Sequence, residues 1–113
     1  MSDTIFGKII RGEIPAERVY EDDHCIVIND ISPQAPIHRL VIPKQSIAKL
    51  CDANEDHRAL LGHLMWVAAK VANDAGIGDA CRFVINNGEG GGQTVFHLHV
   101  HVLGGIEMSE QTL

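Results

Sequence analysis

The sequence predicts an α+β fold in which a five-stranded antiparallel sheet packs against one long helix and a short N-terminal helix. Two observations carry this prediction. The apolar pattern alternates between helical and strand spacing in the order helix, three strands, long helix, two strands, and no short helix crosses over between paired strands. With 113 residues and no repeat or linker, the chain is expected to form one domain over residues 1–113.

The first half of the chain predicts the short helix and three strands. Apolar residues within positions 4–11 recur at spacings of three and four, which indicates a helix that Gly12 and Pro15 end. Pro33 and Pro36 mark a loop, because proline cannot donate to a sheet ladder. The strands expected here cover residues 18–21, 25–31 and 38–43.

The second half predicts the long helix and two further strands. An apolar stripe runs through residues 54–75, Asp52 and Glu55 have the spacing of a capping box, and Gly76 suits the residue after a helix end. The expected elements that follow are a strand over 82–86, a glycine-rich loop over 87–93 and a strictly alternating strand over 95–103.

Composition excludes several partners and compartments. The chain is 45% hydrophobic and 21% charged, as folded proteins are, and its formal charge of -6 gives no general attraction to nucleic acid or an anionic membrane. Three cysteines, with no Cys-x-x-Cys pair, favour a reducing compartment over a disulfide scaffold or a structural zinc site. The N-terminal segment has no apolar run of signal-peptide or membrane-span length. We therefore expect a cytoplasmic protein without a nucleic-acid or membrane partner.

Histidine is concentrated in the last predicted strand, where His97, His99 and His101 alternate with aliphatic residues. Side chains alternate between the faces of a strand, so the three imidazoles are expected on one face. They could form a solvated face, a catalytic zinc site, or a metal-free nucleophile and acid acting at phosphorus. The glycines at 88–92 could turn N–H groups inward to bind phosphate, which favours phosphoryl or nucleotidyl transfer.

Three segments resemble a known family. Residues 92–105, GQTVFHLHVHVLGG, contain a His-φ-His-φ-His-φ-φ motif in which φ is apolar, and residues 30–44, DISPQAPIHRLVIPK, match a second characteristic segment. The N-terminal TIFGKIIRGEIPA also matches. The chain thus resembles the histidine triad (HIT) nucleotide-binding proteins, most of all the Hint branch of purine nucleoside phosphoramidases. The resemblance implies a HIT-like fold whose sheet continues across a homodimer.

The resemblance also implies an activity, the hydrolysis of purine nucleoside 5′-phosphoramidates of the AMP or GMP type, with neither metal nor cofactor. His99 would be the nucleophile, and His101 would contact the phosphate oxygens. His97 and His38 would support proton movement and the orientation of His99, whose tautomer the His97 carbonyl would fix. Asp30 would bind the ribose hydroxyls. The other implied contacts are Asn86, Gly92, Gln93 and Thr94 on the phosphate and leaving-group side, and Phe6, Ile14, Ile28 and Ile31 around the purine.

Rival functions stay open at this point. A regulatory nucleotide-binding module with incidental hydrolysis would use the same residues, and so would a dinucleoside polyphosphate hydrolase or nucleotidyl transferase on the same scaffold. A zinc-dependent hydrolase would use the three clustered histidines as ligands. The tail over 107–113 lacks the tryptophan that some relatives carry past the triad strand, so the sequence leaves the leaving amine undefined.

Overall fold

The structure is a computed structural model that describes residues 3–110. Its strands are β1 (Arg18–Glu21), β2 (Cys25–Asn29), β3 (Ile37–Pro43), β4 (Cys81–Val84) and β5 (Val100–Gly104), and its α-helices are α1 (Ile5–Ile10) and α2 (Arg58–Asp74). All neighbouring strands pair antiparallel, in the order β1-β2-β3-β5-β4. The predicted fold class and order of elements are confirmed.

The two faces of the sheet carry two separate apolar clusters. On the α2 face, the helix residues Leu64, Val67 and Val71 are at most 2% exposed and pack on alternate strand residues. Those strand residues are Cys25, Val27, Val41, Val100 and Val102. On the α1 face, the cluster consists of Phe6, Ile9, Ile26, Ile28, Leu40 and Ile42. Helix α1 covers only part of its face, which leaves room there for a cavity.

The start of α2 differs from the prediction. The predicted capping box of Asp52 and Glu55 is wrong, because Asn54 is the capping residue. Its Oδ1 accepts a hydrogen bond from the Asp56 N–H (2.9 Å), and its own N–H donates to Nδ1 of His57 (3.0 Å). A 3-10 turn over Glu55–His57 then precedes the α-helix proper.

The other helix ends are capped by a threonine side chain and by a glycine, and the glycine, Gly76, is where the sequence predicts it. Thr4 caps α1, since its Oγ1 accepts from the Gly7 N–H at 3.1 Å. Gly76 follows α2 with a φ of +79°, the left-handed conformation that ends helices at glycine. Among residues 3–110, no helix combines the length and the apolar character that crossing a membrane requires.

Three of the five strands are shorter than predicted, whereas β1 and β3 lie where the sequence places them to within one residue. The strand expected over 95–103 enters the ladder only at Val100, because the Leu98 N–H donates to the Ile47 carbonyl (2.7 Å) instead of to a neighbouring strand. Side chains still alternate through this segment: Leu98 joins the α2-face cluster, while the rings of His97 and His99 contact Phe6 on the α1 face. The second and fourth strands also end early, at Asn29 and Val84 instead of residues 31 and 86.

Candidate active site

A cavity of about 580 Å³ opens on the α1 face, where β3 and β5 meet the loops that precede them. One side of its wall is apolar and the other is polar. The apolar side includes Ile5, Phe6, Ile9, Ile28, Leu40 and Val95. The polar side includes Asp30, Ser32, Gln34, His38, Thr94, His99 and His101. Of the predicted site residues, the cavity brings together Phe6, Ile28, Asp30, Ile31, His38, Gly92, Thr94, His99 and His101.

His99 is held in one tautomer by the backbone. Its Nδ1 lies 2.7 Å from the His97 carbonyl oxygen, which can only accept, so Nδ1 carries the proton and donates. The Nε2 of the neutral ring therefore has a free lone pair. Burial, with only 7% of the residue exposed, lowers the pKa of His99 and keeps its ring neutral at pH 7. A neutral imidazole of this kind can act as a nucleophile or a base.

A chain of three hydrogen-bonding groups sets the tautomer of His101. The Gln34 N–H donates to Nδ1 of His38 (3.0 Å), so the proton of a neutral His38 ring lies on Nε2. That Nε2–H donates to Nδ1 of His101 at 2.9 Å. The proton of neutral His101 consequently lies on its Nε2, which is the opposite of the arrangement in His99.

The Nε2 of His101 is a buried donor held ready for a partner. It has no hydrogen-bond partner within the part of the chain that the structure describes. Burial, and next the positive charges that His99 and His38 can carry, lower the pKa of His101 to about 4. The rings of His99 and His101 lie 4.9 Å apart between centroids. The cavity therefore places a lone pair and an N–H group side by side.

Asp30 lies at the turn between β2 and β3 and faces the histidines. Its Oδ1 accepts from the Ser32 N–H (2.8 Å), and its Oδ2 is 3.4 Å from Nε2 of His38. The carboxylate thus caps a turn, and its negative charge stabilises any positive charge on the His38 ring. Because each carboxylate oxygen can accept more than one hydrogen bond, both oxygens keep capacity for hydroxyl groups of a ligand.

Internal hydrogen bonds hold the glycine-rich loop, and they use N–H groups that were expected to point into the cavity. The N–H groups of Gly91, Gly92 and Gln93 donate to carbonyls within the loop, each at 3.0 Å. The expectation that these amides face a phosphate is therefore wrong. Gly92, with a φ of +89°, and the exposed Thr94 still line the cavity.

The Gln93 side chain lies beneath this loop and only 2% of the residue is exposed. Its Oε1 accepts from the Gly88 N–H (2.8 Å), and its Nε2 donates to the carbonyls of Ala48 (2.7 Å) and Val95 (3.0 Å). Every polar atom of the amide is thus bonded to backbone. The structure places Gln93 as an anchor of the loop, away from the cavity surface.

Three more predicted site residues do not line this cavity. His97 is 1% exposed, and its Nε2–H donates to the Pro43 carbonyl at 2.7 Å, which ties the triad segment to the end of β3. Burial lowers its pKa. Ile14 packs beside the α1-face cluster, and Asn86 lines a neighbouring cavity. The carbonyl of His97, not its ring, reaches His99.

No sequence pattern indicates Gln34, whose backbone N–H is the group that takes part in the site. Any residue except proline supplies that group, so side-chain chemistry cannot reveal it. Ile9 and Leu40 of the apolar wall were also missed, since their alternation fits an ordinary core as well as a cavity.

Potential metal ligands gather in two places among residues 3–110. One group is Asp30, His38 and His101, and the other is Asp22, Cys25 and His63; within each group the ligand atoms lie within 4.8 Å of one another. The three histidines of the triad do not form such a group. A zinc site built from all three, as the sequence allowed, is not the arrangement found.

Comparison with known proteins gives the same fold and a family. Residues 11–108 match the family model for the HIT domain. A HIT-like protein of Synechococcus elongatus is 59% identical over 107 residues, which cover 95% of this chain and 94% of that protein.

Among solved structures, the HIT family hydrolase from Legionella pneumophila has a TM-score of 0.93 and 44% identity, covering 96% of this chain and 98% of that one. The histidine triad nucleotide-binding protein from Candida albicans has a TM-score of 0.80 and 30% identity, covering 97% and 86%. The chain belongs to the HIT domain family.

Proposed function

We propose that this protein hydrolyses purine nucleoside 5′-phosphoramidates without a metal ion or cofactor, through a nucleotidyl intermediate on His99. One observation carries the proposal: two rings 4.9 Å apart, one with a free lone pair and the other with a buried N–H. The names of two relatives support it, a HIT family hydrolase and a histidine triad nucleotide-binding protein.

In the first step, the lone pair on Nε2 of His99 bonds to phosphorus while the P–N bond of the substrate breaks. The leaving nitrogen takes a proton from Nε2 of His101 and departs as an amine. The His38–His101 pair gains that proton when the anionic phosphate binds, because a nearby negative charge favours the charged form of imidazole. The negative charge of Asp30, 3.4 Å from Nε2 of His38, stabilises the resulting positive charge.

In the second step, water replaces His99. The water oxygen bonds to phosphorus, one water proton returns to the His38–His101 pair, and the bond between phosphorus and Nε2 of His99 breaks. The products are the nucleoside monophosphate and the regenerated His99. The His97 carbonyl stabilises the positive ring of the intermediate through its bond to Nδ1–H.

The substrate is oriented by the two sides of the cavity. We assign the purine to the apolar side, near Phe6, Ile28 and Ile31, and the ribose hydroxyls to Asp30. The phosphate oxygens then face Thr94 and His101. Gly92 borders the phosphate, and Gln93 and Asn86 act behind it by holding the loop, while Ile14 supports the apolar wall from its packed position.

The test compares hydrolysis of adenosine 5′-phosphoramidate by wild type, His99→Ala and the exposed-site control His24→Ala. Loss of the nucleophile is expected to lower kcat by about 10³-fold or more, with nucleotide binding still detectable, whereas His24→Ala retains activity. Acid-quenched wild-type protein should carry one added nucleoside monophosphate on His99 by mass spectrometry. Unchanged turnover by His99→Ala would contradict the proposed role of His99 as the nucleophile.

Two further measurements separate the rival functions. Activity should survive exhaustive chelation, and activity that is lost and then restored by zinc would favour a metal-dependent hydrolase. A turnover number measured on phosphoramidates and on dinucleoside polyphosphates separates a phosphoramidase from a polyphosphate hydrolase. Very slow turnover of both, with tight nucleotide binding, would favour a regulatory binding module.

We also propose that the chain works as a homodimer in the cytoplasm. The outer face of α2 exposes Trp66 (58%), and Phe83 of the sheet-edge strand β4 is 46% exposed. Exposed aromatic residues beside a free strand edge favour association. The three free cysteines suit a reducing compartment. Sedimentation of wild type against Trp66→Glu tests the dimer, and an unchanged monomeric mass in both would contradict it.

A further inference from the structure

A cluster of potential metal ligands lies on the α2 face of the sheet, opposite the candidate active site. Asp22 is in the turn between β1 and β2, Cys25 begins β2, and His63 lies on α2. One ligand atom from each residue lies within 4.8 Å of the other two. Because the residues come from three elements, their spacing along the chain contains no metal-binding motif. The proposed reaction uses none of them.

The Asp22 carboxylate is fixed by the backbone through one oxygen and faces the cluster with the other. Its Oδ1 accepts from the N–H groups of His24 (2.8 Å) and Cys25 (3.0 Å). Its Oδ2 accepts from the Tyr20 hydroxyl (2.8 Å) and from Nε2–H of His63 (2.6 Å). Burial raises the pKa of Asp22, but these four hydrogen bonds outweigh it and hold the pKa well below its usual range. The carboxylate is therefore ionised at neutral pH.

The Cys25 thiol adjoins this carboxylate and is fully buried, with 0% of the residue exposed. Burial, and next the negative charge of Asp22, raise the pKa of Cys25 to about 12, so the thiol keeps its proton. A bound divalent ion reverses that preference, because a thiol that coordinates a metal is deprotonated. Many buried thiols only fill space in a core. This one differs because its neighbours are an ionised carboxylate and an imidazole.

The donor set selects zinc among the common metal ions. It consists of one sulfur, one nitrogen and one oxygen, whereas Mg²⁺ and Ca²⁺ require oxygen ligands. Zinc binds such donors tetrahedrally at about 2.0–2.3 Å, which separates the ligand atoms by about 3.3–3.8 Å. Oδ2 of Asp22 and Nε2 of His63, now 2.6 Å apart, would open by about 0.7 Å to admit the ion. Both side chains reach the surface, at 22% and 29% exposed, so they have room to move.

The groups around the three ligands also suit a zinc ion. The Tyr20 hydroxyl orients the carboxylate, as hydrogen bonds behind the ligands do in known metal sites. The carboxylate and a thiolate together balance the two positive charges of zinc. Lys44, whose charge also acts on the thiol, is paired with Glu21 at 2.8 Å. Water can complete the tetrahedron, and so can the exposed ring of His24, which lies 5.2 Å from the ring of His63 between centroids.

We propose that Asp22, Cys25 and His63 bind one Zn²⁺ ion, which joins the β1–β2 hairpin to α2 as a structural site. Zinc bonds to Oδ2 of Asp22, Sγ of Cys25 and Nε2 of His63. Cys25 releases its proton to solvent, and the proton on Nε2 of His63 moves to Nδ1. The site takes no part in the reaction at phosphorus and does not depend on the proposed function. Without zinc, the hydrogen bond between Asp22 and His63 still joins the hairpin to the helix, so activity is expected to survive chelation.

The experiment titrates the chelator-treated full chain with Co²⁺, which replaces zinc in tetrahedral sites and absorbs near-ultraviolet light when a thiolate is bound. Wild type should develop this charge-transfer band with one equivalent of Co²⁺ and lose it when Zn²⁺ is added. Cys25→Ser should show no band. The matched control Cys51→Ser removes an exposed thiol outside the cluster and should keep the band.

Variants at partly exposed positions keep the test decisive if Cys25→Ser does not fold. Tyr20→Phe should weaken Zn²⁺ binding, measured by calorimetry, by about 10- to 100-fold, and His63→Gln by more. The melting temperature of wild type should increase with Zn²⁺ concentration, and that of His63→Gln should not. His38→Gln alters the other group of potential ligands and should bind Zn²⁺ as wild type does. A wild type without the thiolate band, a band that survives Cys25→Ser, or Zn²⁺ binding that His38→Gln loses and His63→Gln keeps would overturn the proposal.

Discussion

Replacing His38 tests whether the hydrogen-bond chain sets the protonation of His101. The Nε2–H of His38 donates to Nδ1 of His101 at 2.9 Å, and both rings are largely enclosed. His38→Leu removes the donor while it keeps apolar volume, so the proton of His101 is no longer confined to Nε2. Losing one partner of a buried hydrogen bond costs about 1–3 kcal/mol. If that bond is needed in the transition state, kcat falls by about 5- to 150-fold.

The matched control is His38→Gln, because the carboxamide N–H of glutamine reaches about as far as Nε2 of histidine and can still donate to His101. We expect His38→Gln to keep more activity than His38→Leu. The assay combines steady-state hydrolysis of adenosine 5′-phosphoramidate with ¹⁵N NMR of the His101 ring. Wild type should show the Nε2–H tautomer, and His38→Leu a mixture. A leucine variant with the wild-type rate and the wild-type tautomer would refute the reasoning.

Three further predictions concern stability. The free energy of unfolding should decrease as the pH falls from about 6.5 to about 4, because over this window the unfolded chain binds a proton at His101 that the folded chain does not. Urea unfolding at several pH values in this range measures the decrease. If the free energy of unfolding depends on pH equally steeply in His101→Gln, the assignment to His101 is contradicted. Gly104→Ala should destabilise the protein by about 1–3 kcal/mol, since a Cβ there would lie 2.6 Å from Cδ1 and 3.0 Å from Cβ of Ile77. Gly62→Ala, in open space on the exposed side of α2, should instead stabilise by about 0.5–1 kcal/mol. Equal melting temperatures for the two alanine variants would contradict this account of the packing.

The sequence predicts an element correctly where one periodic pattern of apolar residues dominates. It predicts wrongly where several local hydrogen-bonding arrangements compete. The stripe through α2 and the alternation of the triad segment were long enough to define an element and its faces. The helix start was missed because Asp52 and Asn54 are both good caps, and only the 3-10 turn of the folded chain selects Asn54. The start of β5 was missed because alternation reports side-chain direction, whereas the ladder depends on where the Leu98 N–H donates.

The same distinction applies to the candidate site. The row of histidines and the place of His99 in the site can be predicted from the sequence, since a motif defines residue types and their spacing. The direction of the His97 ring was not, because a ring on the α1 face could equally reach the cavity or the Pro43 carbonyl. The loop glycines likewise indicated backbone freedom without indicating which carbonyls their N–H groups would meet.

Alternation along residues 97–102 means that one short stretch of chain serves two incompatible environments. Its odd positions supply the imidazoles, and its even positions, Leu98, Val100 and Val102, fill the interior beneath α2. Insertion or deletion of a single residue just before this stretch would exchange the faces of the two sets of side chains. The three imidazole rings would then lie in the apolar interior beneath α2, and the aliphatic side chains would lie in the cavity where phosphorus reacts. Such a shift in register would therefore abolish catalysis and stable folding together. A point substitution at an odd position, in contrast, can abolish catalysis while the protein still folds.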